Sequence, residues 1–232
     1  VGLLTADEVA ACETAGTEVV TLRRGVVAIA VFTSPENAAI DCVSLNDLYA
    51  LLSAEADGFT DWGDANALTG TWGGAPLPSA PLEVFGPEAG SSRDALAQVV
   101  LARVARGDTG LDPAGRDFTT EIRSTAGTDP ESVIAAVAAS EAGLGWTYFT
   151  DAEEALDAGV VRPLRISAED GGSCIGPNPE TVEAAAYPAS AHLYTHVDAA
   201  VRDGDEALQA WLALALDEDG LPAVEEAGYA LL

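Results

Sequence analysis

The stretch PLEVFGPEAGSSRDAL, at residues 81–96, combines the signals of a strand, a turn and the start of a helix. Residues 82–85 are a short apolar run of strand length, and the glycines and prolines after them indicate a turn. Leu96, Val99, Val100 and Val104 then recur at helical spacing. The stretch therefore predicts a strand–turn–helix unit, the building block of α/β proteins.

The start of this helix has two interpretations. Ser91 or Ser92 can simply be the N-cap of an ordinary helix, since serine is common there. Alternatively, the unpaired N–H groups and the positive end of the helix dipole bind an oxyanion, helped by the two hydroxyl groups and by Arg93. The residues alone leave both interpretations open.

Strand-like and helix-like segments alternate along the whole chain, which predicts an α/β fold with at least one mostly parallel sheet. Capping patterns mark several helix starts, such as Thr5 with Glu8 and Ser44 with Asp47. Strands are expected at residues 19–22, 25–32, 82–85, 145–149, 161–166 and 191–197. Helices are expected at residues 5–15, 44–52, 91–106, 129–140, 151–158, 179–186, 205–216 and 221–227.

Composition restricts the possible partners. The chain has 232 residues, of which 48% are hydrophobic, so it is long and apolar enough to bury a core. Its net charge is −28, and all ten basic residues are arginine. Such a negative field argues against nucleic acid or an anionic membrane as a partner. No apolar run approaches the roughly 20 residues that a membrane-spanning helix needs.

Three cysteines and two histidines are the candidates for metal or redox chemistry. Cys12, Cys42 and Cys174 are far apart in sequence, which leaves open either one disulfide in an exported protein or three buried thiols. His192 and His196 lie in a strand-like run, where four residues span roughly 13 Å, too far for one metal ion. We therefore expect no metal site and no cofactor.

Motifs of the common enzyme classes are also absent from the sequence, which has no GxSxG, P-loop or HExxH pattern. A hydrolase that uses Ser91 as its nucleophile would need a base beside it, and neither histidine can be placed there from sequence. The residues alone therefore leave a hydrolase only as a minor alternative.

Several segments, taken together and in order, resemble the phosphate-binding proteins of bacterial ABC phosphate uptake systems, the PstS family, and especially its SphX-like branch. No single segment is specific, but the set covers nearly the whole chain. The similar segments are residues 5–13, 25–37, 41–48, 62–64, 82–94, 143–148, 174–194 and 225–232.

The resemblance implies a non-enzymatic binding protein with a type II periplasmic-binding-protein fold, in which two α/β lobes with mostly parallel or mixed sheets close over the anion. It assigns residues 1–28 and 188–232 to a first lobe, which is incomplete, and residues 29–187 to the second lobe. It implies that Gly90, Ser91, Ser92 and Arg93 bind phosphate or a similar oxyanion. It also implies an ABC permease as partner and a periplasmic or extracellular location, where a cell-surface lipoprotein is one option.

The sequence departs from the family in ways that bear on function. Ser91-Ser92-Arg93 stands where the family has Ser-Gly-Thr, so the glycine that allows close backbone approach is missing. Arg93 can compensate with a bidentate contact to the anion. The resemblance also implies that the first βα units of the first lobe, which carry the other half of the family's site, are missing here, and it leaves open whether another chain supplies them, whether they are cut off or whether they are lost.

Two further expectations follow from the comparison with the family. The lobe assignment predicts a disulfide between Cys12 and Cys42, because both cysteines lie near the same crossover. The altered loop and the missing first strands also leave an alternative function open, a degenerate extracellular structural or interaction module that has the same fold and binds no anion.

Overall fold

Helices and strands alternate along the chain in a computed structural model that describes residues 4–70, 75–87, 89–110, 118–123 and 129–216. The strands are β1 (Val19–Thr33), β2 (Cys42–Ser44), β3 (Glu83–Phe85), β4 (Gly143–Tyr148), β5 (Arg162–Pro163), β6 (Arg165–Ser167) and β7 (Ser190–Asp198). The helices are α1 (Ala6–Thr14), α2 (Leu45–Leu52), α3 (Asn66–Thr69), α4 (Ser91–Leu96), α5 (Ala102–Ala105), α6 (Pro130–Ala139), α7 (Phe149–Asp157), α8 (Pro179–Glu183), α9 (Ala199–Gly204) and α10 (Glu206–Leu216). A π-helical segment, Ala97–Leu101, joins α4 to α5 into one continuous helix.

Local sequence signals account for most helix boundaries. The capping boxes of Thr5 with Glu8 and of Ser44 with Asp47 are both formed, at the starts of α1 and α2. Asp129 caps α6, with Pro130 at its first position. The expected helix at residues 221–227 and the closing segment at residues 225–232 lie outside the described residues.

The two apolar runs at residues 19–22 and 25–32 form one strand, β1, 15 residues long. Two separate strands were expected, on either side of Arg23 and Arg24, but arginine does not break a strand. The strand residues from Gly25 onward are buried, whereas the six before it are all half-buried or exposed. A nearly continuous apolar run is typical of a strand that is covered on both faces.

Two sheets organise these strands. The larger has the order β3-β4-β1-β5, and β7 pairs with β1. β3 and β4 are parallel, with Phe85 opposite Gly145, whereas β1 runs antiparallel to β4, with Ile29 opposite Tyr148. The smaller sheet joins β2 and β6 in parallel. The main sheet is therefore mixed, which is one of the two arrangements that the resemblance implied, and the class is α/β as expected.

The predicted disulfide is wrong: Cys42 is bonded to Cys174, and Cys12 is a free cysteine. The parallel pairing of β2 with β6 places Cys42 opposite Arg165. The chain after β6 then turns back, so that Ile175 forms an antiparallel bridge with Ile166. This return brings Cys174 beside Cys42, with their Cα atoms 6.0 Å apart, a pairing across 132 residues that no local pattern indicates.

The chain divides into two compact units. Unit 1 comprises Val1–Val27 and Ala191–Leu232, and unit 2 comprises Ala28–Ser190. The core of unit 2 includes every residue of α2 together with the fully buried Trp62 and Trp146. Among the described residues, no helix is both long and apolar enough to cross a lipid bilayer.

Candidate functional site

The helix that begins with α4 starts differently from the prediction. Its N-cap is Gly90, not Ser91 or Ser92, and Gly90 makes no side-chain cap hydrogen bond. Gly90 has φ of 108°, in the region that favours glycine, and this conformation turns the chain sharply into the helix. Ser91 and Ser92 therefore occupy the first turn of the helix. The N-cap residue has no side chain that could accept a hydrogen bond from the N–H groups of this turn.

The space beside Gly90 is open. A Cβ atom built on this residue would meet no heavy atom within 4 Å, so only the backbone conformation calls for glycine here. The amide hydrogen of Asp94 is donated to the carbonyl of Gly90 at 3.1 Å, and this bond closes the first helical turn. Ser92 is half-buried, and the side chain of Ser91 lies outside the described part of the structure. A small anion can therefore approach the backbone at this point.

Arg93 lies in the same turn and contacts two backbone carbonyl groups. Its Nη2 donates to the carbonyl oxygen of Ile122 at 2.9 Å, and its Nη1 donates more weakly to that of Pro87 at 3.4 Å. The side chain is half-buried. The guanidinium group is therefore held against the protein, with two of its five N–H groups engaged.

The sheet determines where this helix start lies. β3 leads into it, and β4, which is parallel to β3, leads directly into α7. Both helices consequently begin at the carboxyl edge of two neighbouring parallel strands, which is where open α/β sheets bind their ligands. Asp151, in the first turn of α7, has its pKa raised, first by partial burial and then by the negative charge of Glu131.

Gly86 fixes the start of the turn between β3 and α4. A Cβ atom there would lie 2.0 Å from the ring of Trp146, so the indole packs directly on the glycine backbone. Trp146 is fully buried in β4. The contact between Gly86 and Trp146 was not predicted, although a glycine at the end of a predicted strand is a signal of close packing.

The two histidines belong to a different part of the chain. His192 and His196 both lie in β7, with the ring of Tyr194 between them at centroid distances of 6.1 and 6.3 Å. The Nδ1 atom of His196 is 2.9 Å from the hydroxyl of Thr21. This placement confirms the strand that was expected for residues 191–197. Within the described residues, no three His, Cys, Asp or Glu side chains form a group that could hold a metal ion.

A family model described as a PBP superfamily domain matches residues 2–219. The chain belongs to this superfamily of periplasmic-binding-protein folds. No curated protein matches it by sequence.

Solved structures share the fold at low sequence identity. A possible phosphate binding protein from Planctomyces limnophilus has a TM-score of 0.75 and 21% identity, over 100% of this chain and 73% of that one. PstS from Borrelia burgdorferi has a TM-score of 0.64 and 15% identity, over 99% and 76%. An ABC-type phosphate transport receptor from Vibrio cholerae has a TM-score of 0.61 and 12% identity, over 99% and 77%.

Proposed function

We propose that this chain is a solute-binding protein for phosphate or a similar oxyanion and that it delivers the anion to an ABC importer. The observation that carries the proposal is the helix start at Gly90, which lacks a capping side chain and faces open space at the carboxyl edge of β3 and β4. The phosphate-binding proteins that share its fold support the choice of ligand.

The proposed binding set is Gly90, Ser91, Ser92 and Arg93. Backbone N–H groups and hydroxyl groups would donate hydrogen bonds to the anion, and each charge-assisted bond contributes about 1.5–3 kcal/mol. The helix dipole adds positive potential at the same place. The overall charge of −28 does not oppose binding, because exposed charges are screened over a Debye length of about 8 Å.

The lobe assignment of the sequence analysis becomes part of the proposal. Residues 1–28 and 188–232 would form part of a first lobe, and residues 29–187 the second lobe with the Gly90 helix start. A periplasmic or extracellular location accompanies this role, and the disulfide between Cys42 and Cys174 suits an oxidising compartment.

Titration calorimetry with phosphate, sulfate and molybdate tests the proposal. We expect the wild-type chain to bind phosphate and Ser92→Asp to weaken binding by roughly 100-fold or more, because a favourable contact is replaced by a like charge. Ser132→Asp is the matched control, since it places the same charge in the first turn of α6. A chain that binds none of the three anions would overturn the proposal.

The second candidate is a structural or interaction module that has the same fold and binds no anion. The exposure of apolar side chains in unit 1 favours it, because Val9, Val201 and Trp211 are 40%, 51% and 51% exposed. Such surfaces commonly mark contacts with other polypeptides. Phosphate binding by the isolated chain, with loss in Ser92→Asp but not in Ser132→Asp, would count against this candidate.

A further inference from the structure

The guanidinium group of Arg93 bridges two separate segments of backbone. One bond reaches Pro87, six residues earlier in the turn that leads to the helix, and the other reaches Ile122. A cation in the first turn faces the positive end of the helix dipole, which is unfavourable in itself. The two carbonyl oxygens offset this cost because they present negative partial charge to the guanidinium.

The segment around Ile122 is held in place by burial and by backbone hydrogen bonds. Ile122 is 6% exposed and forms a bridge with Ser53 at the end of α2. The neighbouring residues continue this pairing, since the Ala54 amide donates to the carbonyl of Glu121 at 2.8 Å and the Arg123 amide donates to that of Leu52 at 2.7 Å. Glu121 and Arg123, on either side of Ile122, are thus hydrogen-bonded to the last residue of α2 and to the chain just after it, and Arg93 ties the helix start to this segment.

The backbone at Gly90 has little restraint of its own. It has the largest conformational freedom of any residue type, its φ is 108°, and no neighbouring atom would touch a Cβ at this position. At the other end of the turn, Gly86 is held by the ring of Trp146. Pro87 is buried as well, and the bond from Arg93 to its carbonyl oxygen joins this packed end of the turn to the helix start, where Gly90 is exposed.

We propose that Arg93 is a positioning residue, which clamps the turn between Pro87 and Gly90 onto Ile122 and so preorganises the amide donors of the helix start for an oxyanion. This inference rests on the proposed function and refines one part of it: within the proposed binding set, Arg93 holds the donors in place and does not itself contact the anion. The terminal nitrogens of Arg93 bind backbone carbonyls, and the anion is held by Gly90, Ser91 and Ser92. Arg93 then strengthens the scaffold of the site and adds no direct ligand.

Arg93→Gln tests the clamp, with Arg103→Gln as the matched control. Arg103 lies further along the same continuous helix, is also half-buried, and donates from Nη1 to the carbonyl of Pro188 at 2.6 Å. Three quantities are measured on the full chain: phosphate affinity as a function of pH, amide hydrogen exchange of residues 86–92 without phosphate, and the thermal midpoint. Arg93→Lys, which keeps the charge and one possible carbonyl contact, is a second variant that does not depend on Arg93→Gln folding.

We expect Arg93→Gln to weaken phosphate binding by about 10-fold, because the donors must then be ordered on binding. Exchange of residues 86–92 should accelerate, while the pH profile of binding keeps its wild-type shape. Arg93→Lys should fall between wild type and Arg93→Gln in both affinity and exchange. Arg103→Gln should lower the thermal midpoint to a similar extent without changing the affinity or this exchange rate.

Two results would overturn the clamp. Unchanged exchange of residues 86–92 in Arg93→Gln would show that the turn is held without Arg93. An affinity loss that grows as phosphate takes its second negative charge would identify Arg93 as a direct ligand. A wild-type chain that binds no phosphate would instead overturn the proposed function, and the exchange comparison would then decide the clamp on its own.

Discussion

Unit 2 and unit 1 differ sharply in how well they bury their side chains. In unit 2, all eight residues of α2 are buried, and so are all six of β4. In unit 1, α1 and α9 bury no residue, and Trp211 of the apolar helix α10 is 51% exposed. Both units contain many apolar residues, so the difference lies in how far neighbouring helices and strands cover those residues in each unit. Unit 2 has the elements that cover its own sheet, whereas the described part of unit 1 leaves much of its apolar surface in contact with solvent.

A pair of tryptophans should show the largest effect of this difference. Trp146 is fully buried in unit 2, and we expect Trp146→Ala to lower the free energy of unfolding by about 3–5 kcal/mol, because it leaves a cavity. Trp211→Ala in unit 1 should cost less than about 1 kcal/mol, since half of its surface is already exposed. Urea unfolding followed by circular dichroism measures both. Equal costs would mean that Trp211 is buried in solution and would remove the contrast between the units.

The cysteines give the second comparison. Removing the Cys42–Cys174 bond with Cys42→Ala and Cys174→Ala should cost about 2–5 kcal/mol, because the bond closes a loop across 132 residues. Cys12→Ala in unit 1 should change stability by less than about 1 kcal/mol, since this cysteine is free and half-buried. Thermal unfolding compares the variants. Alkylation without reductant, followed by mass spectrometry, should label Cys12 alone, and labelling of Cys42 or Cys174 would contradict the pairing.

Helix caps should show the smallest effect. Ser44 is buried in unit 2, where it accepts a bond from the Asp47 amide at 3.0 Å and donates to its carboxylate at 2.9 Å. Ser44→Ala should therefore cost about 1–2 kcal/mol, at the upper end for a cap. Thr5 forms the same capping box in unit 1, but it is exposed, and Thr5→Ala should cost about 0.5–1 kcal/mol. Reversal of this order in chemical denaturation would show that burial does not strengthen the cap.

The predictions from sequence were correct where the signals are local. The starts of α1, α2 and α6 follow from Thr5, Ser44 and Asp129, whose side chains bond to amides three residues further on. The stretch at residues 81–96 did form a strand, a turn and a helix. The N-cap was nevertheless misplaced by one or two residues, because serine is a common cap and the left-handed conformation of Gly90 is visible only in the structure.

The resemblance to a family carried the functional inference further than the residues alone did. It identified the superfamily that the family model then showed. It could not supply the disulfide, because the Cys42–Cys174 bond depends on the pairing of β2 with β6 and on the chain reversal after β6. The four proposed binding residues stay a prediction until anion binding is measured.

Sequence by itself determined the α/β class, most of the helices and strands, and the strongly acidic surface. These properties depend on residue type and on neighbours within a few positions along the chain. Tertiary structure alone decided that residues 19–33 form one strand, that Cys42 meets Cys174, and that Arg93 bonds to Ile122. The physical reason is that such contacts join residues 29 to 132 positions apart, and their partners are selected by the packing of the whole sheet and its helices.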